Sequence, residues 1–387
     1  MSSAASVASA VVVGAGVFGA SIADHLAGAG WDVELVEQYQ PGHVRQSSGG
    51  ASRLIRYSHG PDAVHSAMAW RSRDMWHELE RDSGEDLLIP SGVVWFTTGS
   101  EWVADSARTL ADLGIPARIL DPAEVSRLFP SIETGDLVGA LHEPDAGVLK
   151  AANAVRALVA RAQRRGARLT LAEALPTEDG GGVTIDGELR QADIVVWACG
   201  PWLPEVFPDL VDVAVTKQDV LFYGVDASWS APAVPGWVDY EAAMYGCGDL
   251  DGLGFKASSD VDGEPFDPDT GSRLPSPVNI DRCRAYVGHR FPALADAFSL
   301  SRSKARLPAI VSVPPSTVTS SDSASIPAAS HRTTRLAPRS NTSTRGSQAP
   351  ERPLGASKRR SRSRTRSKGS NRTRLLMSSS MCEMSTL

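Results

Sequence analysis

The sequence predicts an α/β protein of two domains followed by a disordered C-terminal tail. Three observations carry that reading. The chain opens with a strand, a glycine-rich turn, a helix and a second strand within about thirty residues. Short apolar runs then alternate with amphipathic helical stretches up to about residue 297. Beyond that point the composition changes: all 24 aromatic residues lie at or before Phe298, and only Gly346, Gly355 and Gly369 of the 34 glycines follow it.

Residues 8–13 (ASAVVV) read as a buried strand that runs into Gly14-Ala15-Gly16-Val17-Phe18-Gly19. Residues 20–29 have helical composition, with Gly30 placed to cap them, and residues 32–36 form a second strand ending on Glu37. In a G-x-G-x-x-G turn the first glycine permits the tight bend and the second lets a pyrophosphate approach the backbone. The third lets helix and strand pack closely, and the phosphate charge rests on the helix N-terminus. A carboxylate at the end of the next strand can accept hydrogen bonds from ribose hydroxyls. This order defines a Rossmann-like dinucleotide-binding domain, without separating FAD from NAD.

Residues 62–82 form a second helical stretch and residues 92–98 (GVVWFTT) a short strand. Residues 121–129 read as a helix opened by Asp-Pro, and residues 151–165 as an amphipathic helix followed by the strand 167–171. Residues 191–198 (QADIVVWA) form a buried strand that stops at Cys199-Gly200-Pro201-Trp202, where a turn is forced. The expected organisation is a discontinuous cofactor domain (1–82 and 147–202), a smaller mixed β-sheet plus helix substrate domain (83–146 and 203–297) and a tail (298–387).

The chain has 387 residues and 42% hydrophobic content, enough for about two domains with a sizeable core. Its net charge of -6 conceals a split. Up to Phe298 there are 22 Lys and Arg against 42 Asp and Glu; from Ser299 on there are 17 against 3. The tail has no aromatics, few glycines and many Ser, Thr, Pro and Arg residues, a composition that cannot offset its ordering entropy. A shift of reading frame near residues 298–306 explains the loss of aromatics, glycines and acids together. The other reading is a genuine basic tail whose Arg/Ser run, residues 359–368, binds nucleic acid electrostatically.

Cys199, Cys247, Cys283 and Cys382 form no CxxC pair and no metal-ligand spacing with His, as expected of reduced thiols in a cytoplasmic protein. No Lys or Arg precedes Arg45, so a basic signal-peptide region is missing, and the apolar run 10–20 is too short to span a membrane.

Ser47 and Ser48 open a small-residue loop, SSGGAS, followed by Arg53 and Arg56. Arginine suits bidentate carboxylate binding; solvated surface arginines fit the residues alone equally well. With the dinucleotide fold before it, SSGGASRLIR resembles the monomeric sarcosine oxidase and N-methyltryptophan oxidase family, within the D-amino-acid-oxidase-like flavoproteins. The similarity continues through PSGVVWFT (90–97), HEPDAGVL (142–149), ACGPW (198–202), residues 245–256, FDPDT (266–270) and FPAL (291–294). It covers about three quarters of the chain.

The resemblance implies an FAD enzyme that oxidises a secondary or primary amine of an amino acid and reduces molecular oxygen to hydrogen peroxide. It implies that Arg56 binds the substrate carboxylate, Arg53 holds positive charge near the flavin, and Tyr245 lines the substrate cavity. It makes Lys256 the cation that stabilises negative charge on oxygen. The cofactor is assigned to Gly14, Gly16, Gly19, Glu37, Ser47, Ser48, Leu175, Gly200 and Trp202. Two positions depart from the family: Gly49 and Asp260 stand where close relatives carry histidines. Nothing after Phe298 is similar to the family's flavin-linking cysteine or its closing glycine-rich loop. Three alternatives stand beside the oxidase reading. They are a related flavin dehydrogenase with another electron acceptor, an inactive product unable to hold FAD, and nucleic-acid binding through the tail.

Overall fold

Four parallel strands are built on the opening unit. In the computed structural model, which describes residues 7–178, 181–210 and 212–306, with side chains as far as Ser299, they run Ile194–Trp197, Ser9–Val13, Asp32–Glu37, Arg168–Leu171 across the sheet. The central strand is apolar because both faces are covered. Its register sets Val13 beside Val36 and Trp197, so three strand ends meet at the glycine turn.

Helix Val17–Gly28 leaves that turn and packs against helix Ala151–Arg164. The seam carries a buried ion network. Asp24, fully buried, receives Arg161 at 2.8 Å and Arg165 at 3.0 Å. Ala20, Ala23 and Ala27 line the same helix and keep it close to its neighbours. A small antiparallel meander, Ala174–Pro176, Val183–Ile185 and Glu188–Arg190, places Val183 and Ile185 against Val11, Val13 and Val36 of the parallel sheet.

An eight-stranded mixed sheet forms the other half. Its order is Ser299–Arg306, Thr216–Tyr223, Phe255–Ser259, Met244–Cys247, Gly236–Asp239, Val93–Thr97, Gly139–Glu143, Arg118–Leu120. One pairing is parallel, that of Gly236–Asp239 with Val93–Thr97. Helix Pro277–Arg290 packs on this sheet, and Phe96, Phe129, Trp237, Phe255 and Phe291 form an aromatic core there. A second three-stranded antiparallel sheet pairs Ser52–Ile55 and Leu88–Ile89 with Gly147–Lys150.

The expected helix at 62–82 is Ala63–Ser83, with the Asp62 carboxylate capping the Val64 and His65 amides. The expected helix at 121–129 closes after one turn, Pro122–Val125, behind an Asp121/Glu124 capping box; turns take the remainder. The largest correction concerns the tail boundary. Ser299–Arg306 is an edge strand paired antiparallel with Thr216–Tyr223 over eight residues, so the folded chain continues past Phe298. Composition misses it because a β-ladder is bonded by main chain, which every residue but proline supplies in full. The rest of the expected tail, residues 307–387, lies outside the described residues.

Candidate active site

The glycine turn is sterically dictated. Gly14 has φ +97°, in the region that favours glycine. A Cβ on Gly19 would lie 1.8 Å from the Gly14 carbonyl oxygen, an impossible overlap. Glu37 is buried, and its carboxylate accepts from the Ala15 amide (2.8 Å), Gln46 Nε2 (2.9 Å) and the Tyr39 amide (3.1 Å). The acid thus grips the turn itself, and Oε1, with one donor, keeps acceptor capacity. Ser48 Oγ accepts from the Val17 amide at the start of the helix (3.0 Å). Ser47 Oγ is buried beside it with no hydrogen-bond partner among the described residues.

Arg53 holds this loop from below. Buried on strand Ser52–Ile55, it donates to the Ser52 carbonyl (2.7 Å), the Gly49 carbonyl (2.9 Å) and the Ser47 carbonyl. Gly49 has no room for a side chain: a Cβ there would sit 2.2 Å from the His43 carbonyl oxygen. The glycine that departs from the family is therefore required by this loop's path.

Lys256 reaches the same strand from the large sheet. Its Nζ donates to Ser52 Oγ (3.1 Å) and the Ser52 carbonyl (3.2 Å) and lies 5.4 Å from the centre of the Tyr245 ring. Burial, reinforced by the Arg53 charge, lowers Lys256 to about 8. Burial also lowers Arg53. Among the described residues no carboxylate acts on either cation.

Arg56 follows the strand. It donates to the Ser58 carbonyl (3.2 Å), and its guanidinium carbon lies 5.3 Å from the centre of the Trp95 ring. Burial pulls its pKa down, opposed by the negative charges of Glu143 and Asp260. His59 is held neutral, near 3, by burial and by Arg56. Its Nε2 is buried without a hydrogen-bond partner among the described residues.

The structure thus gathers Arg53, Lys256 and Tyr245 around Ser52, with Arg56 just beyond, and sets Gly14, Gly16, Gly19, Glu37, Ser47 and Ser48 around one turn. Gly200 adopts φ +54° in the turn after strand Ile194–Trp197. Trp202 Nε1 donates to Asp269 (2.8 Å), which also accepts from Tyr39 Oη. Leu175 lies on the meander, 48% exposed and paired with Thr184, whose hydroxyl donates to the Leu175 carbonyl (3.2 Å). Sequence reasoning missed Ser52, Gln46, Asp269 and above all Glu143, which stands in the quoted HEPDAGVL motif without having been given a role there.

A dinucleotide turn on a parallel sheet, with buried cations from the three-stranded and the large mixed sheet meeting at Ser52, fits a flavin-type oxidoreductase site. The chain belongs to the FAD dependent oxidoreductase family, whose model matches residues 9–310. That match also runs past Phe298, in agreement with the edge strand. The chain is 28% identical over 302 residues to the monomeric sarcosine oxidase of Streptomyces avermitilis, covering 74% of this chain and 79% of that one. It is 26% identical over 247 residues to the N-methyl-L-tryptophan oxidase of Escherichia coli K12, covering 61% and 66%. Its fold is similar to that of the L-proline dehydrogenase from P. horikoshii, with a TM-score of 0.68, 19% identity and coverage of 77% and 81%. FAD fits the residues present: at the helix start a Cβ on Gly16 would meet Ser48 Oγ alone, at 3.3 Å, and the orphaned Ser47 hydroxyl and the spare acceptor site of Glu37 supply polar groups.

Proposed function

We propose that the chain oxidises an amine that carries a carboxylate, of the sarcosine or N-methyl amino acid type, with molecular oxygen as final acceptor and hydrogen peroxide as product. The observation that carries this reading is the pair of buried cations, Arg53 and Lys256, that no carboxylate among the described residues compensates. Buried uncompensated charge is costly, so such a site is suited to anions. FAD, when bound, would supply the hydride acceptor and the route of the electrons to oxygen.

The chain's own residues do the rest. The backbone of Gly14, Gly16 and Gly19 receives the pyrophosphate, with Ser47 and Ser48 at its side and Glu37 toward the ribose; Gly200 and Trp202 flank the turn, and Leu175 lies at the outer margin. Arg53 fixes the 47–49 loop through the Ser47 and Gly49 carbonyls. Arg56 pairs with the substrate carboxylate, and Tyr245 lines the cavity near Lys256. Lys256 holds its proton at Nζ below about pH 8 and offers positive charge where negative charge develops on oxygen. Among the described residues no helix is long and apolar enough to cross a membrane. We place the protein in the cytoplasm, a reading supported by the free cysteines Cys199, Cys247 and Cys283.

The test is an assay of the FAD-loaded protein with sarcosine, N-methyl-L-tryptophan and N-methylbenzylamine. Peroxide should form with the two carboxylate substrates at far lower concentration than with the third. Turnover only with an artificial acceptor, and none with oxygen, would replace the oxidase with a dehydrogenase.

A further inference from the structure

We infer that Glu143 is the positioning residue for Arg56, a role that rests on the carboxylate reading of Arg56 above. Glu143 ends strand Gly139–Glu143 and is fully buried. A carboxylate in that setting needs strong compensation, and its partners are not scattered. Oε2 accepts from the Tyr57 amide (2.5 Å) and Oε1 from Ser58 Oγ (2.6 Å), the two residues that directly follow Arg56. Oε1 also accepts from Trp95 Nε1 (2.5 Å), and it is over the Trp95 ring that the Arg56 guanidinium lies.

One carboxylate therefore fixes both surfaces that define where Arg56 points. It pins the backbone carrying the arginine and orients the ring beneath it. Arg56 in turn donates to the carbonyl of Ser58, whose hydroxyl Glu143 holds. The charge relation acts in the same direction. Burial raises Glu143 and lowers Arg56, and the field of each opposes the other's shift. Glu143 thus helps keep the guanidinium charged in a dry site while leaving its outer edge for a ligand. An apolar scaffold could have held the backbone; only an acceptor with two oxygens can satisfy an amide, a hydroxyl and an indole N–H together.

Replacing the carboxylate by an amide keeps the shape but turns one acceptor into a donor facing the Tyr57 N–H. The experiment measures the dissociation constant of propionate, a carboxylate without an amine, for the full-length FAD-loaded protein by calorimetry, beside the dissociation constant of FAD itself. Glu143→Gln should weaken propionate about tenfold or more, as loss of a well-placed charge-assisted contact does, and leave FAD affinity within about twofold. In an Arg56→Ala background the same change should add almost nothing, because its effect passes through the arginine. Trp95→Phe, which keeps the ring and removes one donor, and Ser58→Ala should each weaken propionate about threefold; they carry the comparison if Glu143→Gln does not fold. Additive effects of Glu143→Gln and Arg56→Ala, or equal loss of propionate and FAD, overturn the positioning role. If Arg56→Ala weakens propionate and the other three changes do not, that role alone fails. If the unaltered protein binds no propionate, or Arg56→Ala leaves binding unchanged, the carboxylate reading itself is wrong.

Discussion

At the residue scale the site is a problem of charge without water. Arg53, Arg56 and Lys256 are all lowered by burial, and among the described residues no carboxylate acts on Arg53 or Lys256. Arg56→Ala should raise the KM for carboxylate-bearing amines roughly 100-fold, the equivalent of about 3 kcal/mol for a desolvated charge pair. Steady-state kinetics with N-methylbenzylamine should show little change. Lys256 makes a prediction with a sign. Its cation is present below about pH 8 and lost as pH rises through that value, so reactivity toward oxygen should fall above pH 8. Lys256→Met should be slow at every pH and flatten the profile, as followed by peroxide formation under excess substrate. The types of these residues were legible in the sequence: two arginines three apart after a small-residue loop, and a lysine in a glycine-rich strand. Their meeting at Ser52 was not, because Ser52 and Lys256 are 204 residues apart and belong to different sheets.

At the element scale the helix that opens the cofactor site is held by two constraints. One is the steric lock at the glycine turn. Gly19→Ala sets a methyl group against the Gly14 carbonyl, and the variant should lose FAD during gel filtration while unaltered protein retains it. The other is the seam with helix Ala151–Arg164, where Asp24 receives Arg161 and Arg165. Asp24→Asn takes the buried carboxylate from both guanidinium groups, leaving them Asp82 and Glu78 at the margin of the seam, and should cost about 3 kcal/mol, read as a fall in the urea midpoint with unchanged slope. The turn was legible because its chemistry is local: a glycine triplet, a strand before it and an acid after it. The helix at 121–129 was misjudged for a reason equally local. Asp-Pro-Ala-Glu starts a helix well, yet only one turn follows, and Leu128 and Phe129 bury themselves from irregular backbone against the large sheet.

For the whole molecule, the large sheet decides where the folded chain ends. Ser299–Arg306 covers the edge of Thr216–Tyr223, and an uncovered edge exposes a row of unpaired amides and carbonyls. Hydrogen exchange should find protected amides within Ser299–Arg306, and deleting those eight residues should lower the melting temperature and promote aggregation. Exchange there at the rate of an unfolded peptide would remove the strand. The sequence by itself determined the dinucleotide turn, the alternation of strands and helices and the presence of candidate cations. Each of these is written in periodicity, glycine placement or residue type within a few tens of residues. Only the tertiary structure decided that Glu143 binds Tyr57, Ser58 and Trp95 around Arg56, that Gly49 leaves no room for a histidine, and that an apparently structureless segment closes a sheet. The first and last depend on contacts across roughly 50 to 90 positions and on main-chain bonding, and the second on the path of a tight loop, none of which a local pattern of side chains encodes.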